Sequence, residues 1–159
     1  MKVYIDVMGG DRPAEIIQGA VSAAKEHADI TIVLAGSREL ISDALSGAGI
    51  PDNIETEYTS EVITNDDSPT MAIKTKKDSS LVRVFDMLAK DDEALGVISA
   101  GSTGAVLTGA TLLIGRMEGI YRPTLISHLP TMDGGSVCIT DCGANMDSHP
   151  EWLVQFAVM

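Results

Sequence analysis

The sequence predicts an α/β fold with a mostly parallel sheet, and three observations carry the prediction. Short β-branched runs alternate with longer segments whose apolar residues recur at helical spacing. The run at residues 30–35 is continuously apolar apart from Thr31, as a strand covered on both faces should be. Three strand ends open into loops of small residues, at Gly9-Gly10, at Gly101 and at Gly143, where parallel α/β sheets carry functional groups.

Residues 2–7 alternate and stop at Met8-Gly9-Gly10-Asp11. Asp11 is a suitable N-cap, Pro13 fits a first turn, and Ile16, Ile17, Ala20, Val21 and Ala24 then form a helical stripe. After the strand at 30–35, Gly36-Ser37 leads into a short helix ending near Gly47 and Gly49. Residues 54–59 read as a polar edge strand, and 61–69 as a long polar connection, functional loop or linker. From Ser79 or Ser80 a helix carries Leu81, Val84, Phe85 and Leu88 inward.

Residues 96–107 form the centre of the chain. Val97 and Ile98 run through Ser99 into Ala100-Gly101-Ser102-Thr103-Gly104, and 103–115 reads as a helix. Small side chains there would let a ligand approach the backbone, and a helix start offers free N–H groups with partial positive charge, which together suit an anion. The same loop would serve as a strand-to-helix turn with small residues for packing alone. Beyond it, Pro123 opens a strand over 124–129, and Asp133-Gly134-Gly135 is a turn that returns 136–141 as a hairpin partner. Ser148-His149-Pro150-Glu151 reads as a capping box before a stripe of Trp152, Leu153, Phe156 and Ala157. Ending inside that stripe, at Met159, the chain is expected to be part of something longer.

At 159 residues and 45% hydrophobic content, the chain can fill one substantial core, so one compact unit is expected over residues 1–159. No apolar stretch is long enough to cross a bilayer, and Asp6 stands where a secretory signal would be apolar, which points to the cytoplasm. A net charge of −12 argues against nucleic acid or an anionic membrane surface as a general partner. Within the acidic first part, Lys74, Lys76, Lys77 and Arg83 gather around the single acid Asp78. They precede or open the helix at 80, where the macrodipole prefers acids, so either an anionic partner or plain solvation has to account for them. Cys138 and Cys142 are expected to be reduced and half-buried, with no zinc site or disulfide framework. His27, His128 and His149 are scattered and read as structural.

Several ordered motifs together resemble one family. They are Asp6-Val7-Met8-Gly9-Gly10-Asp11, Lys76-Lys77-Asp78-Ser79-Ser80, Ser99-Ala100-Gly101-Ser102-Thr103-Gly104-Ala105, Gly115-Arg116 with Arg122-Pro123, and Asp141-Cys142-Gly143-Ala144-Asn145 followed by Gln155-Phe156-Ala157. The chain is similar to the N-terminal half of the bacterial phosphate acyltransferases of phospholipid synthesis, which make acyl phosphate from acyl-acyl-carrier-protein and inorganic phosphate. The resemblance implies a three-layer α/β/α sandwich like that of phosphotransacetylases and of isocitrate and isopropylmalate dehydrogenases. It further implies a homodimer, and peripheral membrane association through the other half or a membrane acyltransferase; no cofactor and no metal are expected. Where the family carries Asn, this chain has Ser102, which keeps a donor and an acceptor on a shorter side chain. Lys74 and Thr75 stand where Arg is common in the family, which weakens bidentate phosphate recognition.

Acyl transfer to phosphate starts from a nucleophile that is already anionic, so positioning and preformed N–H donors can carry it. Ser102, Thr103, Asp141 and Asn145 are the candidates for catalytic contact. Gly9, Gly10, Asp11, Lys76, Lys77, Ser80, Ser99, Gly101, Gly104, Arg116, Arg122 and Gly143 are the candidates for holding substrate or phosphate. Asp6, Asp11 and Asp141 are general-base candidates by position alone, beside a base from the other half. Two other readings stand: a related dehydrogenase using a nicotinamide cofactor, against which no Gly-x-Gly-x-x-Gly follows a strand, and a non-catalytic anion-binding half-domain. A half-chain would expose apolar surface and a sheet edge, which predicts self-association or a companion segment in the same sample.

Overall fold

A computed structural model describes residues 1–46, 49–145 and 147–159. Gly47, one of the two expected helix ends near 47–49, lies outside the described residues. The chain forms two compact units, Met1–Ile114 and Gly115–Met159.

The first unit is built on four parallel strands, β1 (Lys2–Asp6), β2 (Thr31–Gly36), β3 (Ile54–Tyr58) and β4 (Ala94–Ser99), in the order β3-β2-β1-β4. Alternation along β1 sends Ile5 to one face and Tyr4 to the other. On the first face Ile5, Ile32 and Leu34 meet α1 (Pro13–Glu26) and α2 (Arg38–Leu45) through Ile17, Ala20, Val21, Ala24, Ile41 and Leu45. On the second, Tyr4, Val33 and Ala35 meet α3 (Pro69–Thr75), α4 (Ser80–Leu88) and α5 (Thr103–Gly109) through Ile73, Val82, Val84, Phe85 and Ala105. Helices on both faces make three layers, the arrangement a parallel sheet requires. The polar strand β3 pairs with β2 alone and is an edge, as its composition predicts.

Several local expectations are corrected. Asp11 is not the cap of α1: Arg12 holds that position and Asp11 is exposed one residue upstream. Helix α3 has no counterpart in the sequence pattern. It places Lys74 in its last turn and Lys76 at its C-cap, so the cations complement the carboxyl end of a helix, where the macrodipole favours them. The helix at 103 is α-helical to Gly109 and widens into a π-type turn over Ala110–Ile114 before Gly115, at φ +104°, ends it.

In the second unit, β5 (Ile126–Pro130) and β6 (Ser136–Thr140) form the expected antiparallel hairpin, closed by Thr131 N–H to Gly135 O at 3.0 Å with Gly134 at φ +83°. It is a two-stranded sheet of its own, so the Gly143 loop follows an antiparallel hairpin strand and not, as expected, a strand of the parallel sheet. Helix α6 (Pro150–Val158) has His149 at its N-cap, and Ser148 hydrogen-bonds Asp141 at 2.9 Å in place of the expected capping box. Of the expected stripe, Phe156 is buried and Trp152 half-buried, whereas Leu153 and Ala157 are exposed. Cys138 and Cys142 are free but exposed, not half-buried. No helix among the described residues is long and apolar enough to cross a membrane.

Candidate functional site

At the carboxyl rim of the parallel sheet, strand register sets Asp6 of β1 beside Ser99 of β4. Ser99 Oγ donates to Asp6 Oδ2 at 2.7 Å, and Ser80 Oγ, at the first residue of α4, donates to Asp6 Oδ1 at 2.6 Å. Asp6 is 1% exposed and Ser80 2%, so both carboxyl oxygens are engaged by hydroxyls inside the fold. Having given its hydrogen to Asp6, Ser99 Oγ accepts the Gly101 N–H at 3.1 Å.

The glycines of the two loops cross over this group. A Cβ on Gly9 would lie 2.3 Å from Asp6 Oδ2, 2.8 Å from Ser99 Oγ and 2.9 Å from Gly101 N. One on Gly101 would lie 2.9 Å from Gly9 O, and one on Gly10 would lie 3.0 Å from the Ala100 Cβ. What the missing side chains admit here is the other loop. Gly104 is a packing glycine of the same kind, its would-be Cβ 3.0 Å from Pro69 Cγ on α3. Beside the crossing opens a cavity of about 440 Å³ lined by Gly10, Asp11, Arg12, Glu15, Ile16 and Ala100. Both α1 and α5 begin at this rim. The first α-helical bond of α5 runs from Val106 N–H to Ser102 O at 3.0 Å, so the amides of Thr103, Gly104 and Ala105 precede it. Ser102 caps α5 without closing a side-chain cap bond, and Thr103 is exposed.

Lys76 and Lys77 are occupied elsewhere. The Lys76 ammonium donates to Asp67 Oδ2 at 2.7 Å and to Val62 O at 2.8 Å, and Lys77 donates to Ile73 O at 3.1 Å near the end of α3. Lys76, followed by the Thr64 N–H, holds the Asp67 carboxyl below its usual range.

The second unit holds the remaining candidates in a network around Asp141. Its carboxyl accepts from Asn145 Nδ2 at 2.8 Å, Asn145 N–H at 3.1 Å, Thr124 Oγ1 at 3.2 Å and Ser148 Oγ at 2.9 Å. Burial pushes this carboxyl up, but the hydrogen bonds outweigh it and leave the group below its ordinary value. Asp141 sits at φ +62° and Gly143 at +81°, so the chain turns back tightly and Gly143 N–H reaches Asp141 O at 2.7 Å. Arg122 donates its Nε to Asn145 Oδ1 and stands 5.3 Å over Trp152, while Arg116 holds Tyr121 O at 2.5 Å. Gln155 Oε1 accepts the amides of Tyr121 and Arg122 at 2.9 and 3.2 Å. Thr124 and Ser148 are the members sequence reasoning missed; Ser148 was concealed by its fit to a capping box.

Cys138 and His128 face each other across the hairpin, but the sulfur lies 3.4 Å from Nδ1 and 3.6 Å from Nε2. A sulfur nearly equidistant from both nitrogens lies over the ring, off the axis of either lone pair, so this is no nucleophile–base pair. Among the described residues no group of three or more His, Cys, Asp or Glu side chains could hold a metal ion.

Comparison with known proteins gives a match to the fatty acid synthesis protein family over residues 1–159. A phosphate acyltransferase of Clostridium botulinum (strain Alaska E43 / Type E3) is 47% identical over 100% of this chain and 48% of its own length. Those of Clostridioides difficile (strain 630) and Halothermothrix orenii (strain H 168 / OCM 544 / DSM 9562) are 43% and 44% identical over the whole chain, covering 47% and 48% of their lengths. The chain thus spans about half the length of the curated relatives it matches. With its whole length matched, the chain belongs to the fatty acid synthesis protein family.

Proposed function

We propose that this chain is the N-terminal half of a phosphate acyltransferase that moves a fatty acyl group from acyl-acyl-carrier-protein to inorganic phosphate. A phosphate oxygen attacks the thioester carbonyl, the carbon–sulfur bond breaks, and the thiolate leaves to take up a proton, giving acyl phosphate. The complete enzyme acts in the cytoplasm as a homodimer, on a fold related to isocitrate and isopropylmalate dehydrogenases, with peripheral membrane contact through its other half or a membrane acyltransferase.

One observation carries the reading within this chain: at the carboxyl rim of the parallel sheet the amides of Thr103, Gly104 and Ala105 precede the first α-helical bond of α5, and the Ser102 cap closes no side-chain bond to them. Amides at a helix start carry partial positive charge and suit a phosphate or a developing oxyanion. Gly101 N–H is already committed to Ser99, so the donors on offer are the amides of Thr103, Gly104 and Ala105 with the Ser102 and Thr103 hydroxyls. Arg12 and Gly10 wall the adjoining cavity. Lys76 and Lys77, which hold the end of α3, have no direct part in this scheme.

Ser102→Ala and Thr103→Ala in the complete enzyme test the assignment. Loss of one preorganised donor costs about 3 kcal/mol of transition-state stabilisation, on the order of a hundredfold in turnover. Phosphate saturation and turnover left unchanged in both variants would remove the loop from the site. Because the chain spans half of its relatives, a non-catalytic anion-binding half-domain is the second reading for these 159 residues alone. Calorimetry with inorganic phosphate beside a turnover assay on one sample separates binding from catalysis.

A further inference from the structure

Asp6 lies at the centre of the crossing yet cannot meet a substrate, because it is 1% exposed and both its oxygens already accept serine hydroxyls. Such a group cannot serve as a general base on a bound molecule. It can fix the direction of a hydrogen-bond chain. Each serine hydroxyl has one hydrogen; Ser99 gives it to Asp6, which obliges Ser99 Oγ to accept, and Gly101 N–H is the donor that fills it. The order is therefore Gly101 N–H to Ser99 Oγ–H to Asp6 Oδ2, with Ser80 anchoring Oδ1 to α4. Gly9 lies so close above that no side chain fits, which leaves the group no room to shift.

We propose that Asp6 is a positioning residue for acyl transfer: through Ser99 it fixes the Gly101 peptide, and thereby the spacing of the amides that follow at the start of α5. The inference rests on the acyltransferase reading above. A misplacement of about 1 Å at a donor is enough to cost on the order of a hundredfold in rate.

The test is Asp6→Asn, Ser99→Ala and their double variant in the complete enzyme, assayed with acyl-acyl-carrier-protein and inorganic phosphate. Asn keeps the volume of Asp but presents an N–H₂ donor where a carboxyl oxygen accepted: turned to Ser99 it breaks the chain to Gly101, and turned to Ser80 it releases the anchor on α4, so either orientation loosens the group. Each single variant should lower kcat on the order of a hundredfold, with KM for the acyl donor held within about twofold. Because the two residues act as one unit, the double variant should be no worse than either single. A folded Asp6→Asn or Ser99→Ala with wild-type kcat overturns the inference, as do losses that multiply in the double variant or a change confined to KM. Should Asp6→Asn fail to fold, Ser99→Ala decides alone by the same criteria. Wild-type enzyme that forms no acyl phosphate overturns the acyltransferase reading itself, a separate outcome from an active wild type that is indifferent to Asp6.

Discussion

Replacing Gly9 with Ala adds one methyl group at the most crowded point of the sheet rim. Its Cβ would stand 2.3 Å from Asp6 Oδ2, and restoring an ordinary 3.4 Å contact requires an opening of about 1.1 Å. Asp6 cannot retreat, because it is buried and held on both oxygens, and Gly101 N is backbone that moves only with its loop. Overpacking of this kind costs about 1–3 kcal/mol. Breaking the Ser99 bond to a carboxylate adds about 1.5–3 kcal/mol, so a total near 3 kcal/mol or above is expected. In a chain of this size that lowers Tm by about 6–12 °C. Gly19→Ala is the matched control: the position is exposed inside α1, nothing lies within 4 Å of its would-be Cβ, and its φ is not in the left-handed region. Removing a glycine from a helix interior gains about 0.5–1 kcal/mol, which raises Tm by about 1–4 °C. Thermal unfolding followed by far-ultraviolet circular dichroism reads both. A Gly9→Ala variant melting within about 2 °C of wild type, or a Gly19→Ala variant that loses as much as Gly9→Ala, would refute the steric argument.

Two further predictions concern pH. Burial, and then the hydrogen bond from Tyr4 to Asp91 at 2.5 Å, raise the Tyr4 phenol to about 12. The neutral phenol is the stabilising form, so its contribution is complete below the ordinary value of about 10 and is lost as pH rises from there through about 12. In a phenolate titration one of the three tyrosines should ionise near 12, and Tyr4→Phe should abolish that step and lower stability at pH 7 by about 1.5–3 kcal/mol. For Asp141, whose folded carboxyl lies below its ordinary value, the sign is opposite: the contribution is present above about pH 4 and is lost as pH falls through the lower folded value. The fluorescence of Trp152, the single tryptophan, reports the second unit, and Asp141→Asn should flatten its acid dependence below about pH 4; identical acid transitions would count against the network.

Elements with strong periodicity were legible in the sequence. The apolar run that became β2, the stripe of α1 and the Asp133-Gly134-Gly135 turn all stand where the pattern puts them. The sequence pattern puts two helix caps one residue early, for one reason. Pro13 and Pro150 occupy first helical positions, and proline steers the residue before it out of the helical region, so Arg12 and His149 become caps whatever their chemistry. The better cap formers Asp11 and Ser148 are left outside, and Ser148 takes up a bond to Asp141. The same rule would have found α3, where Ser68 precedes Pro69. That helix was lost because it is short and buries only Ala72 and Ile73, too few residues to show a period.

At the rim, the types of residue were legible and their partners were not. Asp6 lies 74 positions from Ser80 and 93 from Ser99, distances over which no spacing rule operates. Glycine is also ambiguous in kind: a loop that must admit a ligand and a loop that must admit another loop both forbid a Cβ, and a sequence records only the prohibition. Here the second cause accounts for Gly9 and Gly101, and α3 accounts for Gly104. Anion recognition in the proposed site then cannot be argued from those glycines. It has to rest on groups the packing leaves unspent, which are the Ser102 and Thr103 hydroxyls and the first amides of α5, held in place by a carboxyl that never reaches solvent.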